Sequence, residues 1–299
     1  MACNFDNFKV DIILASYNGS TFIEEQLYSI LSQTHNNFSV IISDDGSTDD
    51  TVEKILRIAN EDDRVKLVNK ERVGGVAKNF NKALSFSDAD YVMLSDQDDV
   101  WCQNKIELML SFLIKHEEQL GAKSPVLCYS DLILVDQDCN VIANSFYKIN
   151  KYNPIHNQDV HFLSWRSTIY GCTCIFNKSC ATLAYPFPNG IPMHDHWLAL
   201  VALKFGGLYF LDNPTILYRQ HSNNVVGGAA FNKSLFMKLK KTKKLIAGIK
   251  IAQQGSLVLR AWLGDERGKI KFFGECIWPY FHEKKLYSSI FTFFHFFGK

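Results

Sequence analysis

Short apolar segments alternate with amphipathic ones along the first half of this chain, and this alternation restricts the fold more than any other feature. Between the apolar segments, apolar residues recur at helical spacing, and Thr21 with Glu24 forms a capping box ahead of the first helix. Strands and helices in this order form a mostly parallel sheet with helices on both faces, so the sequence predicts an α/β fold. The predicted strands are Val10–Ser16, Phe38–Ser43, Val65–Val68, Tyr91–Leu94 and Val126–Ser130, and later helices are predicted at Thr51–Asn60, after Gly74-Gly75 and at Gln103–His116.

Beyond residue 131 the pattern is less regular, and a run of small residues at 225–230 is the one plausible boundary. We predict a domain at 1–226, with halves at about 9–131 and 132–226, and a C-terminal helical segment at 227–299. The elements predicted in the second half are a strand at Ile169–Phe176, a helix at Trp197–Phe205 and short strands at Leu208–Leu211 and Thr215–Tyr218.

Carboxylates follow two of the predicted strands at the point where each strand ends. Asp96, Asp98 and Asp99 follow one strand, and Asp44 and Asp45 follow another. Carboxylates this close repel one another and raise each other's pKa values unless a cation or a ligand neutralises them. The carboxyl ends of strands in an open α/β sheet form the ligand crevice, so we predict a metal and nucleotide site there. The alternative is a solvated acidic turn or a helix N-terminus.

Composition is that of an ordinary folded enzyme, with 47% hydrophobic and 21% charged residues. The eight cysteines are scattered, without a CxxC pair, which favours reduced thiols. We find no signal peptide and no uninterrupted apolar stretch long enough to span a membrane, so we expect a cytoplasmic protein.

Charge is distributed unevenly along the chain. The first 212 residues carry 17 basic and 27 acidic side chains, whereas the last 87 carry 15 and 4. This pattern predicts a basic amphipathic helix on an anionic membrane surface. The alternatives for the basic segment are a solvated helix face and a nucleic-acid patch, of which we do not expect the second. The aromatic tail Tyr287–Phe297 could instead pack on the body of the protein or on a second subunit of a homo-oligomer. The helix would carry Lys233, Lys238, Lys240, Lys241, Lys243, Lys244 and Lys250 among apolar residues.

No glycine-rich phosphate loop follows the first strand, which argues against a P-loop ATPase or a dehydrogenase. Four ordered motifs stand out instead: Ala15-Ser16-Tyr17-Asn18, Gln26 to Thr34, Asp44 to Asp49, and Ser95-Asp96-Gln97-Asp98-Asp99. Over residues 9 to 226 the chain resembles the family 2 glycosyltransferases, which have the GT-A (nucleotide-diphospho-sugar transferase) fold. The resemblance implies inverting transfer of a sugar from a nucleoside diphosphate donor, assisted by Mn or Mg.

Three segments are similar to bacterial rhamnosyltransferases and related hexosyltransferases of surface polysaccharide assembly. They are Ser95 to Trp101, His194 to Trp197, and Tyr218 to Asn224. The resemblance implies a UDP- or dTDP-sugar donor, of rhamnose or another hexose, and a lipid-linked oligosaccharide acceptor of O-antigen, capsule or cell-wall synthesis. It also implies a peripheral position on the inner face of the bacterial plasma membrane, where such acceptors lie. A non-catalytic nucleotide-sugar-binding relative or partner subunit is the alternative. A nucleotidyltransferase would need a basic loop near the first strand that we do not find.

The resemblance also assigns residues to the donor and to the metal. Tyr17 would stack on the base, and Asp45 would accept the N3–H of uracil or thymine. The metal ligands would be Asp98, Asp99 and His221, although the sequence does not decide which of the three motif aspartates binds, and His221 alternatively orders a lid at 223–224. An imidazole ligand suits Mn better than Mg. The donor contacts would be Ser16, Tyr17, Asn18, Asp45, Lys78, Asn79, Asp96, Gln97 and Arg219. For Lys78 a surface position is the alternative.

Asp195, ahead of an aromatic residue at a helix start, matches the family's general base. Such a carboxylate removes the proton of the acceptor hydroxyl as that oxygen attacks the anomeric carbon. The alternative for Asp195 is a helix cap, and for the acceptor residues it is ordinary core packing. The predicted acceptor residues are Trp165, Arg166, Gly171, His194, His196 and Trp197.

Overall fold

The computed structural model describes residues 7–121, 123–221 and 235–298, with the side chains of the long C-terminal helix described from Leu245 onward. Four parallel strands form the first half of the sheet, in the order β3-β2-β1-β4. Strand β1 pairs with both β2 and β4, so that Val10 lies opposite Phe38 and Tyr91. The first four predicted strands are confirmed with at most one residue added at the C-terminal end, and the fifth, Val126–Ser130, extends to Val135. The elements are β1 (Val10–Ser16), α1 (Ile23–Leu31), β2 (Phe38–Asp44), α2 (Thr51–Glu61), β3 (Val65–Asn69), α3 (Val76–Leu84) and β4 (Tyr91–Ser95).

The second half of the sheet is mixed. Strand β4 pairs antiparallel with β8, β8 pairs antiparallel with β6, and β6 pairs parallel with β9. Strand β9 in turn pairs antiparallel with β5, just after the acidic motif, and therefore brings the end of the domain back to that motif. The elements are β5 (Val100–Trp101), α4 (Lys105–Leu120), β6 (Val126–Val135), β7 (Val141–Ala143), α5 (Phe146–Asn150), α6 (Val160–Leu163), β8 (Cys174–Asn177), α7 (Lys178–Ala184), α8 (His194–Phe205) and β9 (Gly207–Arg219).

Three sequence predictions are wrong in detail. Thr21 does not cap α1, because the backbone N–H groups of Phe22 and Ile23 both donate to the Gly19 carbonyl. The strand predicted from Ile169 begins only at Cys174, because the turn Gly171–Thr173 precedes it. The two short strands near residue 210 form one strand, β9, whose irregular pairing opposite Asp131 accommodates Pro214.

The C-terminal segment packs on the second half of the domain. Trp165 is fully buried in a second hydrophobic cluster, and its indole N–H donates to the Cys276 carbonyl at 2.8 Å. Phe291 of the aromatic tail is buried in the same cluster, so this part of the tail packs on the body. The elements are α9 (Leu235–Leu263), α10 (Lys269–Phe272), a π-helical turn (Phe273–Ile277), a 3-10 segment (Trp278–Lys284) and α11 (Lys285–Phe297).

Several sequence predictions concern positions outside this description. The boundary at 225–230 and the lid at 223–224 lie outside the described residues, as do the lysine side chains between 233 and 244. Among the described helices, none is both long and apolar enough to cross a membrane. The seven cysteines of the described ranges are all free thiols, as the sequence predicts.

Candidate active site

Gln97 joins the acidic motif to the end of β1. Its side-chain amide accepts from the Tyr17 backbone N–H at 2.8 Å and donates to the Tyr17 carbonyl at 3.0 Å. Gly19 makes room for this contact, because a Cβ there would lie 2.2 Å from the Gln97 Oε1. The Tyr17 ring remains 43% exposed, so it is available to a ligand. The structure therefore brings together two residues that the sequence assigns to the donor.

Asp45 binds the loop that precedes α3. Its Oδ1 accepts from the N–H groups of Val73 at 2.6 Å and Gly74 at 2.7 Å, and its Oδ2 accepts from Gly75 at 2.9 Å. Burial raises the pKa of this carboxyl, but the three hydrogen bonds and the nearby Arg72 charge outweigh burial and hold the pKa below its usual value. A carboxylate has about four acceptor sites, so one is left for a ligand.

Arg72 is a site residue that the sequence analysis missed. Its guanidinium lies 5.8 Å from the centre of the Tyr17 ring, and its charge acts on Asp45. A cation at this point borders the position predicted for the base and lies beside the ends of β1 and β2. A basic residue just before Gly74-Gly75 was the only signal available in the sequence.

Other predicted donor residues hold the strand ends in place. The Ser16 hydroxyl donates to Asp44 at 2.7 Å, and the Asn79 amide donates to the Ser16 carbonyl at 3.1 Å. The Asn18 side chain accepts from the Thr48 N–H at 2.8 Å. These contacts shape the crevice without occupying it.

Lys78 differs from those residues because it is exposed. It makes no hydrogen bond or ion pair with the described part of the chain. It is therefore free to meet a ligand, as is any surface lysine.

Two aspartates of the acidic motif, the half-buried Asp96 and the buried Asp99, form a cluster with the buried Cys172. One carboxylate oxygen each from Asp96 and Asp99 and the Cys172 sulfur all lie within 4.8 Å of one another. Asp99 is fully buried, its Oδ1 accepts from the Arg219 N–H at 3.1 Å, and its Oδ2 has no hydrogen-bond partner among the described residues. Burial raises the pKa of Asp96 to about 7 and that of Asp99 well above its usual value, and the charge of Asp98 adds to both shifts.

Asp98 is not one of these three residues, and it contacts His221. The His221 Nε2 lies 2.8 Å from the Asp98 Oδ2, and its ring packs 4.9 Å from that of Phe22. The three predicted metal ligands are thus divided, with Asp98 and His221 together and Asp99 beside Asp96. An orphaned, buried oxygen on Asp99 among other carboxylates fits a divalent cation, because a cation would satisfy it.

Arg219 is engaged with protein groups on every side. Its guanidinium donates to the carbonyls of Asp98 at 2.9 Å and Gln137 at 2.5 Å, and to the Glu25 carboxylate at 2.5 Å. The same group stacks 4.7 Å from the Phe22 ring. These contacts join β9 to the acidic motif and favour a positioning role over the predicted diphosphate contact.

Asp195 lies in the first turn of α8 and faces the acidic cluster. Its Oδ1 accepts from the backbone N–H of the next residue, His196, at 2.6 Å. Its Oδ2 accepts from the Gly171 N–H at 3.0 Å. Burial raises the pKa of this carboxyl to about 6 although both hydrogen bonds lower it. Its charge is close enough to raise the pKa of Asp96 in turn. A carboxylate with this pKa is a competent proton acceptor near neutral pH.

His194 forms a buried wall beside Asp195. Its ring stacks on Phe80 with centroids 3.9 Å apart, and burial lowers its pKa to about 3, so the imidazole is neutral. Neither ring nitrogen has a partner among the described residues. A Cβ on Gly171 would lie 2.6 Å from the His194 Nε2, so only glycine fits here. Both residues were predicted at the acceptor side.

The remaining predicted acceptor residues have packing contacts. The His196 Nε2 hydrogen-bonds the Leu163 carbonyl at 2.7 Å, and the Trp197 indole donates to the Ala184 carbonyl at 2.9 Å. Arg166 forms a buried ion pair with Glu283 at 2.7 Å, and Trp165 lies in the C-terminal cluster. These contacts favour the core-packing alternative for all four.

A second residue missed from the sequence is Lys105. It is fully buried, donates through Nζ to the Cys172 carbonyl and lies 4.1 Å from the centre of the Trp101 ring. Burial lowers its pKa to about 8, against the opposing effect of negative groups that include Asp99. A lysine in the first turn of an amphipathic helix reads as a surface residue, so no local signal marked it.

Comparisons with known proteins identify the family of this chain. The family model described as "Glycosyl transferase family 2" matches residues 11–162. The dTDP-rhamnosyl transferase RfbG of Shigella flexneri is 32% identical over 244 residues, which cover 76% of this chain and 78% of that protein. The Bacillus subtilis protein described as "Putative teichuronic acid biosynthesis glycosyltransferase TuaG" is 28% identical over 72% of this chain and 81% of its own.

A third relative matches over a shorter segment. The Escherichia coli protein "UDP-Glc:alpha-D-GlcNAc-diphosphoundecaprenol beta-1,3-glucosyltransferase WfgD" is 35% identical over 37% of this chain and 43% of its own length.

Solved structures show the same fold at low sequence identity. A Staphylococcus aureus TarS fragment in complex with UDP-GlcNAc has a TM-score of 0.54 and 17% identity, over 92% of this chain and 76% of its own. The mannosyltransferase PcManGT from Pyrobaculum calidifontis, in complex with GDP-Man and Mn2+, has a TM-score of 0.57 and 14% identity, over 98% and 89%. Both are glycosyltransferases with the GT-A fold, as predicted here from the ordered motifs. This chain is a glycosyltransferase and belongs to glycosyl transferase family 2.

Proposed function

We propose that this protein transfers a hexose, with rhamnose the first candidate, from a UDP- or dTDP-sugar to a hydroxyl of a lipid-linked oligosaccharide. The observation that carries the proposal is the Asp195 carboxylate, held by two backbone N–H groups and facing the acidic cluster of the donor half. The sugar and nucleotide classes come from relatives, one named as a dTDP-rhamnosyl transferase and one as a UDP-Glc glucosyltransferase of a diphosphoundecaprenol substrate.

At the donor end, the base stacks on the exposed Tyr17 ring and its N3–H donates to the remaining acceptor site of Asp45. Uracil and thymine both carry that N–H, so Asp45 accepts either. Arg72 borders the same position and contributes positive charge beside the nucleotide. Gln97 keeps this half of the crevice aligned with the acidic motif through its two hydrogen bonds to Tyr17.

Asp98, Asp99 and His221, with Asp96 beside them, are the residues that would hold Mn or Mg. When bound, the cation neutralises the charge that develops on the leaving diphosphate. Asp195 removes the proton of the acceptor hydroxyl, the acceptor oxygen forms a bond to the anomeric carbon, and the bond from that carbon to the diphosphate oxygen breaks. The acceptor oxygen attacks from the face opposite the diphosphate, so the anomeric configuration is inverted.

The C-terminal segment supports contact with an anionic membrane surface, where a lipid-linked acceptor would lie. Leu286, Phe293 and Phe297 lie on one face of α11 at helical spacing and are exposed. Ile270 is 80% exposed. It lies beside the end of this helix, because the ammonium of its neighbour Lys269 donates to the Phe296 carbonyl. Exposed aromatic and aliphatic groups near lysines are typical of helices that lie on bilayers.

The membrane contact is tested by co-sedimentation with anionic phospholipid vesicles. We expect the double variant Phe293→Ser, Phe297→Ser to lower vesicle affinity about tenfold, because two largely exposed phenyl rings no longer enter the bilayer. The matched control is Phe86→Ser, an exposed phenylalanine of the donor half. Unchanged binding by the double variant would refute the contact. Truncation at residue 228 is a poorer test because it also removes Glu283, the ion-pair partner of Arg166.

The donor and the base are tested together. Purified protein is titrated with UDP, dTDP, GDP and ADP, with and without Mn, and its melting temperature is recorded, because a ligand of the folded state raises it. Sugar transfer to a lipid-linked acceptor is then measured with the matching donors. We expect metal-dependent stabilisation by UDP or dTDP alone, and transfer by the wild type.

The Asp195→Asn variant separates binding from catalysis. It should keep donor affinity within about tenfold and lose transfer, because the amide cannot accept the hydroxyl proton. A variant that still transfers sugar would refute Asp195 as the base. If no nucleotide stabilises the wild type, a non-catalytic relative becomes the better interpretation.

A further inference from the structure

We propose that Lys105 is a positioning residue, which holds the turn Gly171–Thr173 in place and thereby orients the Asp195 carboxylate toward the acceptor hydroxyl. The inference rests on the proposed function, because it concerns the base of that reaction. It follows from a continuous set of contacts between the start of α4 and the start of α8.

The first observation is that Lys105 occupies an unfavourable position for a lysine. It is fully buried, and it is the first residue of α4, where the helix dipole disfavours a positive charge. Burying a charged group is costly unless it is paired or hydrogen-bonded. The compensation comes from the Trp101 ring, 4.1 Å from Nζ, and from the Cys172 carbonyl, which accepts from Nζ. The ammonium is therefore held at one point.

The second observation concerns the backbone that the Lys105 ammonium holds in place. The Cys172 carbonyl belongs to the turn Gly171–Thr173. The first residue of this turn, Gly171, donates its backbone N–H to the Asp195 Oδ2 at 3.0 Å. The other Asp195 oxygen accepts from the N–H of its own helix. The orientation of the carboxylate about its side-chain bonds is consequently set by where the Gly171 N–H lies. A turn that shifts would release Oδ2.

The third observation concerns the hydrogen bonds of the turn, whose three residues are all buried. Both the N–H and the hydroxyl of Thr173 bond the Tyr170 carbonyl, and these bonds set the shape of the turn. These two bonds do not reach the acidic motif, whose Asp96 and Asp99 the Cys172 thiol approaches from the turn. Among the described residues, Lys105 is the side chain that donates to the Cys172 carbonyl, so it joins the turn to the segment that follows Asp99.

The test compares the wild type with Lys105→Met, which keeps the apolar stem and removes the donor and the charge. We expect kcat to fall at least about tenfold while the donor KM and the nucleotide-induced rise in melting temperature stay within about threefold of wild type. The acid limb of the kcat–pH profile should move to higher pH, because the hydrogen bond from Gly171 lowers the pKa of Asp195. A purely structural role would not move that limb.

The matched control is Lys204→Met. Lys204 also lies over an indole ring, 4.2 Å from that of Trp262, and donates to a backbone carbonyl, but on the surface and away from the site. It should behave as wild type. A folded Lys105→Met with wild-type kcat and acid limb would overturn the proposal.

A second variant guards against loss of folding in Lys105→Met. Lys105→Gln keeps an N–H donor but is one atom shorter and uncharged. We therefore expect a smaller fall in kcat than in Lys105→Met, and a smaller shift of the acid limb to higher pH. Wild-type kcat and acid limb in the folded glutamine variant would equally overturn the inference. If the wild type transfers sugar and the Lys105 variants match it, only the positioning role fails. A wild type without transfer activity would overturn both proposals.

Discussion

Replacing Arg166 with methionine should lower the free energy of unfolding by about 3 kcal/mol. The Arg166 guanidinium and the Glu283 carboxylate lie 2.7 Å apart, and both side chains are more than nine-tenths buried. Removing the cation leaves the Glu283 charge in the interior, which for buried pairs costs about 3–5 kcal/mol. The Asn153 N–H still donates to Glu283 at 3.1 Å, so we expect the lower end of that range. Methionine fills part of the space between the Tyr152 and Tyr287 rings.

The assay is reversible denaturant unfolding, with thermal unfolding as a second measure. A loss of about 3 kcal/mol lowers Tm by roughly 6–12 °C in domains of about 150–250 residues, and by less in a longer chain. Limited proteolysis should cut the variant first within the C-terminal segment, because Glu283 belongs to it. Arg57→Met is the control, since Arg57 pairs with Glu24 at the surface and such pairs contribute at most about 1 kcal/mol. A loss in Arg166→Met no greater than in the control would refute the reasoning.

Three further predictions concern activity. Asp195 must be ionised to accept a proton, and its pKa is raised to about 6. We therefore expect kcat, at saturating substrates and metal, to fall about tenfold per pH unit below pH 6. A kcat profile that stays flat down to about pH 5 would contradict this. Arg72→Met should raise the donor KM about three- to tenfold with little change in kcat, and the exposed neighbour Lys70→Met should not. His221→Ala should raise the Mn concentration for half-maximal activity about tenfold, and an unchanged metal requirement would exclude His221 from the site.

The strand ends that form the crevice are predictable because their sequences satisfy local rules. Val10–Ser16 is almost continuously apolar, as expected for a strand covered on both faces, and it forms the central parallel strand. Asp45 and Asp96 could then be assigned to the same edge of the sheet because the carboxyl ends of parallel strands lie together. Asp195 was assigned through the resemblance, since its distance in sequence from the other aspartates gives no local signal, and its role as the base stays a prediction.

The residues that could not be predicted depend on partners far away in sequence. Lys105 is buried because Cys172, 67 residues later, offers a carbonyl to it. Arg219 has the composition of a phosphate ligand, yet its guanidinium pairs with Glu25, 194 residues away. Trp165 seemed suited to a sugar, but its indole N–H donates to Cys276, 111 residues later. Residue type and spacing do not distinguish a binding side chain from one whose partner arrives through tertiary packing.

The segment at 163–166 joins Asp195, the proposed base, to the proposed membrane-contacting face. The Leu163 carbonyl bonds the ring of His196, next to Asp195, and the Ser164 carbonyl accepts from Ser256 of α9 at 2.8 Å. Trp165 and Arg166 then hold the C-terminal segment itself. Because one short segment contacts both α8 and the C-terminal helices, the base and the exposed face of α11 are held in a fixed relation. A lipid-linked acceptor bound at that face would therefore meet Asp195 at a defined distance from the bilayer.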